Sequence, residues 1–236
     1  RQCDPDRRVA ARLAICNSPR MKTGACVVGL LGILGFSGIL QAQERVPPER
    51  RGFQLALRTG YSVPLGNTAL GTKLSDTTGG QVPLIVDVGA KLIPELFLGG
   101  YFGFGIGGDA GDVQRLCNMN GGGCVSADVI AGIEAQYQIL PGGSADPWLG
   151  YGVGIESIAL STGSNDNNSV TYTGWQFARL SGGVDFRLTR TFGIGPFADL
   201  SLGKYSSITQ GPISATLANQ EQHEWLTIGA RFVFFP

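Results

Sequence analysis

From Phe53 to the last residues the chain carries no sustained helical period; what recurs is alternation with period two. Phe53, Leu55, Leu57, Thr59, Tyr61 and Val63 alternate with Gln54, Ala56, Arg58, Gly60 and Ser62. Seven further runs repeat the scheme. Leu84 to Leu92 opposes Asp87, Gly89 and Lys91, and Leu96 to Ile106 opposes Gly99, Tyr101, Gly103 and Gly105. Val129 to Ile139 opposes Gly132, Glu134, Gln136 and Gln138; Leu149 to Ile155 opposes Gly150, Gly152, Gly154 and then Glu156. Ala178 to Leu188 opposes Arg179, Ser181, Gly183, Asp185 and Arg187, and Phe192 to Leu202 opposes Gly193, Gly195, Asp199, Ser201 and Gly203. The last run, Leu226 to Phe234, opposes Thr227, Gly229 and Arg231. Each is near the roughly 9–11 residues that a tilted membrane-spanning strand needs. A soluble sheet buries the apolar face, whereas a barrel in lipid turns it outward. Alternation alone permits both.

The connections separate the two. Short links (Ile93–Pro94, Leu140 to Pro147, Thr189 to Thr191) alternate strictly with long polar ones (Gly66 to Gln81, Gly107 to Ala127, Ser161 to Gly174, Ser206 to His223). That is the pattern of short periplasmic turns and longer external loops. Four long loops and three turns give an all-β, eight-stranded antiparallel up-and-down transmembrane β-barrel with both termini on the periplasmic side. Trp148, Phe192, Trp175, Tyr205 and Trp225 fall near run ends, where aromatic girdles are expected. The barrel is expected over residues 53–236.

Upstream, the stretch from Met21 has a positive start at Lys22, an apolar run from Ala25 to Leu40 and a polar, small-residue end near Ala42. This is signal-peptide grammar, so residues 21–43 are expected to be removed on export. Residues 1–20 read as an upstream extension that is not natural protein, and residues 44–52 as a periplasmic linker. Formal net charge is zero, which offers nucleic acid no basic field. Cys117 and Cys124 stand in one Gly-rich loop of an exported chain, so a loop-closing disulfide is expected there. No further Cys or His accompanies them, which argues against a metal.

The polar parity supplies Arg58, Lys91, Arg179, Arg187 and Arg231 against Asp87, Glu134, Glu156, Asp185 and Asp199. An eight-stranded barrel is just wide enough for side chains to fill. A plugged lumen laced with ion pairs is therefore expected, with inward glycines making room for long Arg side chains. Gly103, Gly105 and Gly108 match the GxGxxG spacing, but no helix follows, so no nucleotide site or other cofactor is expected. His223, the one histidine, lies beside Glu221 and Glu224 at the outer end of the last run and reads as an extracellular rim residue.

The stretches Asp87 to Gly107 (DVGAKLIPELFLGGYFGFGIG), Gly132 to Tyr137 (GIEAQY) and His223 to Phe232 (HEWLTIGARF) resemble small OmpA- or OmpX-type barrel domains of Gram-negative bacteria, myxobacterial ones among them. The aromatic C-terminal strand resembles the signal read by the barrel assembly machinery, although Pro236 departs from the usual terminal Phe. The resemblance implies an outer-membrane location, contact with outer-membrane lipid and lipopolysaccharide, and external loops available to a surface partner. The family includes adhesins and lipid-modifying enzymes, so fold does not supply function. The first reading is a structural or surface-interaction barrel and not an enzyme. A second is a lipid A deacylase-like enzyme at the membrane rim, with His223 as base and Ser206, Ser207 or Ser161 as nucleophile. A third is a soluble, lipocalin-like binder with the apolar face inside.

Overall fold

A pleated backbone sends successive side chains to opposite faces, so an alternating run is stable only in a sheet whose two faces meet different surroundings. All eight runs form strands of one such sheet. The computed structural model describes residues 51–69, 72–109, 124–162 and 169–236. The strands are β1 (Gly52–Ala69), β2 (Thr78–Ile93), β3 (Leu96–Asp109), β4 (Cys124–Gln138), β5 (Ala145–Thr162), β6 (Ser169–Arg187), β7 (Phe192–Gln210) and β8 (Gln222–Phe234). Each pairs antiparallel with its successor. The ring closes where β8 pairs with β1, from Leu55↔Phe234 to Gly66↔His223. Residues 1–50 lie outside the described residues, and with them the expected extension, the signal peptide and most of the linker. Cys117 and the side chain of Cys124 lie outside them too.

The short turns are built from local chemistry. Between β6 and β7, Thr189 Oγ1 accepts from the backbone N–H of Phe192 at 3.0 Å and of Thr191 at 3.2 Å, the ST-turn habit of a threonine hydroxyl. Between β4 and β5, Gly142 takes φ 101°, a left-handed value that a side chain would resist.

The strands run for 13–19 residues, longer than the alternation suggested. The longest reach about 60 Å at ~3.3 Å per residue, well beyond an apolar band about 25 Å tall even when tilted. The excess lies at the long-loop end. All four expected loops are shortened accordingly. β6 begins at Ser169, inside the expected Ser161 to Gly174 loop. β7 continues to Gln210, and the chain folds back as a short strand, Ile213–Thr216, paired to it from Gln210↔Ile213 to Ser207↔Thr216. These stretches are rich in Thr, Ser, Val and Ile and pair well, but above the membrane no lipid selects an apolar face. Their strands therefore lack the alternating signature.

An irregularity in β6 resets the parity. Gly152 pairs with Arg179 but Gly154 with Gln176, so β6 carries an extra residue opposite Val153. Arg179 and Gln176 both face the lumen while Trp175 and Phe177 face out, and strict alternation would have sent those two rings inward. Such a bulge frees a backbone carbonyl, and Tyr151 Oη donates to the Phe177 carbonyl at 3.1 Å.

Candidate functional site

The inward positions converge on Arg58, which is fully buried. Its Nη2 lies 2.5 Å from Asp87 Oδ1 and 3.0 Å from Glu134 Oε2, and its Nη1 lies 3.3 Å from Asp199 Oδ2. One guanidinium thus ties β1 to β2, β4 and β7. Arg179 Nε pairs with the same Asp199 at 2.7 Å, and its guanidinium stacks over the Tyr101 ring at 4.7 Å. Glu134 Oε1 accepts from Gln136 Nε2 at 2.8 Å, and Gln136 Oε1 accepts from Arg231 Nη2 at 2.7 Å. Arg231 pairs with Asp185 at 2.6 Å and lies over Trp148 at 4.3 Å. The network draws a side chain from every strand. Charges cut off from water persist only when paired and hydrogen-bonded this way.

Toward the short-turn end, Lys91 Nζ donates to Gln138 Oε1 at 2.9 Å and to the Pro94 carbonyl at 3.3 Å, above the Phe235 ring. Arg187 lies 3.5 Å from Asp146. Ala56, Val233 and Phe235 pack into an apolar cluster. Among the described residues the inward strand positions carry the five expected cations against seven carboxylates, because Asp128 and Asp146 join the five carboxylates read from the sequence.

The lumen glycines serve rings more than arginines. A Cβ at Gly132 or Gly154 would fall within 2.5 Å of the Tyr101 hydroxyl, one at Gly183 within 3.1 Å of the Trp148 indole nitrogen, and one at Gly99 within 2.6 Å of the Phe97 ring. Trp148, Tyr205 and Trp225, expected in the girdles, are in the lumen instead, each at most 5% exposed. The expectation followed their places near run ends. Their parity, shared with Gly150, Gly203 and Thr227, is inward and decides the matter.

His223 is corrected for the same reason. It shares parity with Trp225 and Thr227 and is 1% exposed, inside the barrel rather than on its rim. Its ring stacks on Tyr205 at 3.9 Å and 9°, and its Nε2 lies 3.2 Å from Glu156 Oε1. The same carboxylate oxygen accepts from Tyr205 Oη at 2.8 Å and Trp225 Nε1 at 2.9 Å. Above them the short helix Leu74–Thr77, in the first long connection, drives the fully buried Leu74 against Ile158, Leu160, Tyr205 and Trp225. The serines proposed as its partners are not turned toward it: Ser206 and Ser207 hydroxyls point to the Thr173 carbonyl at 3.3 and 3.5 Å. The side chain of Ser161 is outside the described residues.

The outer face is the reverse. Phe102 on β3, Ile133 on β4, Leu149 and Ile155 on β5 and Ile228 on β8 stand 49–68% exposed. Going up the barrel, this belt ends where Ile155 gives way to Ser157 and Trp175 to Thr173, whose hydroxyls bond to each other at 2.9 Å. At the other end Phe53, Tyr137, Phe186, Phe192 and Phe234 ring the wall. A closed sheet with a continuous apolar exterior and a charged interior requires lipid outside. This is an outer-membrane barrel. Its polarity also deprives the lipocalin alternative of an apolar interior.

No family model and no curated protein matches the chain. Among solved structures the barrel is similar to Neisserial surface protein A, with TM-score 0.49, 11% identity and coverage of 78% of this chain and 97% of that one. It is similar also to outer membrane protein AlkL (TM-score 0.45, 15% identity, 79% and 92%). The outer membrane protein OprG of Pseudomonas aeruginosa follows (TM-score 0.42, 12% identity, 79% and 98%). At these identities the likeness concerns fold alone.

Proposed function

We propose that the protein is an OmpA/OmpX-type barrel with a structural and surface-interaction role, acting through its external end. The observation that carries this reading is the sealed lumen. The Arg58 network crosses the whole bore, and the cavity above it, lined by Ser62, Gln81, Glu156 and Arg179 among others, holds only about 30 Å³, room for about one water. With transport through the bore set aside, the working surface is the sheet that β4 to β7 and Ile213–Thr216 raise beyond the lipid band. In this reading lipid and lipopolysaccharide surround the wall, the barrel assembly machinery inserts it, and a surface partner meets the loops. The lipid A deacylase-like alternative loses its base on this reading, because His223 is held against Glu156 and Tyr205 inside the barrel.

Two outcomes follow. Purified protein in planar bilayers is expected to show no stable conductance; a reproducible ohmic pore would contradict the sealed lumen. Cells displaying the intact barrel are expected to attach to a surface that cells without it do not hold, and cutting Gln210–Thr216 back to an Asn-Gly turn is expected to abolish that attachment while the shortened protein keeps its heat-modifiable gel migration. Unchanged attachment in those cells would remove the external hairpin from the account.

A further inference from the structure

The outer wall changes chemistry above the apolar belt. There four neighbouring strands turn hydroxyls outward in two rows. Ser157 on β5 pairs with Thr173 on β6, Thr173 with Ser207 on β7, and Ser207 with Thr216 of the short strand Ile213–Thr216. One step higher, Ala159 pairs with Thr171, Thr171 with Thr209, and Thr209 with Ser214. Residues directly opposite in a ladder share a face. The Ser157–Thr173 and Thr209–Ser214 hydroxyls accordingly bond to each other, at 2.9 and 3.2 Å. Apart from Ala159 every position in the two rows is Ser or Thr, none is charged and none is buried. The rows span roughly 14 Å across the four strands, at ~4.8 Å per strand. On the inward face of the same segments Ile158, Leu160 and Tyr172 pack beneath Leu74, so the hydroxyls belong to one face only.

At the foot of this face, where the belt ends, stand an indole and an ammonium. Trp175 on β6 pairs with Lys204 on β7, and both side chains are exposed. Two irregularities set them there, and bulges commonly re-aim side chains in this way. The β6 bulge turns Trp175 outward. In a second, Thr173 pairs with Ser207 but Gly174 with Tyr205, so Ser206 is an extra residue on β7 and Ser207 returns to the outward face above Lys204. Lys204 makes no hydrogen bond or ion pair among the described residues. Glu224, the carboxylate on the outward side of β8, accepts from Gln222 Nε2 at 2.9 Å. From the membrane outward the wall thus offers hydrocarbon contact, then Trp175 and Lys204, then neutral hydroxyls. A lipid with acyl chains, a phosphorylated headgroup and uncharged sugars presents matching chemistries in the same order. Tryptophan and lysine suit the boundary between hydrocarbon and headgroups. Hydroxyls both donate and accept, as sugar hydroxyls do.

We propose that the outer wall of β5, β6, β7 and the strand Ile213–Thr216 docks a phosphorylated glycolipid of the outer leaflet. A phosphate of the lipid meets Lys204, the headgroup ring lies against Trp175, and neutral sugars run along the two hydroxyl rows. The surface continues the lipid-facing belt without a break, which is why a membrane lipid and not a soluble glycan is its occupant. The proposal rests on the outer-membrane reading above and gives the lipid contact in that reading a specific place.

The test titrates the full chain, in nonionic detergent, with rough lipopolysaccharide carrying a short sugar core, with lipid A that lacks the core, and with dephosphorylated lipid A. Lys204→Gln is expected to weaken lipopolysaccharide and lipid A about fivefold, the scale of one cation at a lipid surface. It is expected to leave dephosphorylated lipid A unchanged, and Lys204→Arg is expected to bind as the unsubstituted chain does. Thr171→Val combined with Thr209→Val is expected to weaken lipopolysaccharide about tenfold, the scale of two lost hydrogen bonds, and to leave lipid A unchanged. All these positions are on the surface, so each variant is expected to keep its heat-modifiable migration. Undiminished lipid A binding by Lys204→Gln would overturn the proposal. So would phosphatidylglycerol binding as tightly as lipid A, or displacement of lipid A by inorganic phosphate, which would make the site one for any anionic lipid or for free phosphate. Unchanged lipopolysaccharide binding by the valine variant would overturn it as well and leave the hydroxyl face to a protein partner. Any of these results, obtained with a barrel that still shows no conductance, counts against the docking surface and not against the barrel reading.

Discussion

Arg58→Met is expected to destabilise the folded barrel by about 3–5 kcal/mol, the cost of breaking a buried pair from one side. Methionine roughly fills the space but leaves Asp87, Glu134 and Asp199 without their shared counterion. Arg179 reaches Asp199 at 2.7 Å and so protects one of the three; Asp87 and Glu134 are buried with no cation of comparable reach. The measurement is urea unfolding in lipid vesicles followed by tryptophan fluorescence. Adding Asp87→Leu is expected to restore part of the loss, because the two positions share one interaction and their effects are not additive. A loss below about 1 kcal/mol, the scale of a solvated pair, would mean that water reaches Arg58 and that the lumen is not sealed.

The second large effect is on the other face. Ile133→Arg is expected to cost about 2–4 kcal/mol, the range for a cation near the bilayer midplane on a barrel's lipid face. Ile133 is 68% exposed, between Gly100 on β3 and Val153 on β5, well below the Ser157–Thr173 pair that marks the end of the apolar belt. Ser157→Arg, on the same outer face but at that boundary, is expected to cost only about 0–1 kcal/mol. In a soluble barrel both substitutions would place a cation in water and differ little. Unfolding of the two variants in vesicles of one lipid composition separates the cases.

Which parts of this molecule could be read in advance follows from what the lipid sees. Inside the membrane band every residue faces either hydrocarbon or lumen, so Leu57 against Arg58 or Ile133 against Glu134 differ sharply, and the strand count and lumen charges were legible. Above the band that contrast disappears, and the strand segments at Ser169 and Ile213–Thr216 looked like loop. The inward aromatics were misplaced for another reason. Trp148, Tyr205 and Trp225 lie near run ends, as girdle residues do, and only continuing the parity of Gly150, Gly203 and Thr227 shows that they point inward. The same continuation places His223 inside. Asp128 shares the inward parity of Ile130 and Glu134 but stands one residue before the apolar run that starts at Val129, so the alternation does not mark it. The β6 bulge had no signal in composition, since Trp175, Phe177 and Arg179 all fit one face by number. Leu74 looked like an ordinary loop leucine; its role depends on a cup formed by Ile158, Leu160, Tyr205 and Trp225 from three distant strands.

A nitroxide scan along β4 reads the inverted polarity of the sealed barrel position by position. Labels placed one at a time from Val129 to Gln138, in vesicles, are read for accessibility to oxygen, which partitions into lipid, and to a water-soluble nickel chelate. High oxygen accessibility is expected at 129, 131, 133, 135 and 137, and low accessibility to both reagents at 130, 132, 134, 136 and 138. Nickel accessibility at the even positions would mean a water-filled bore, and nickel accessibility at the odd positions would mean that the apolar face does not lie in a membrane.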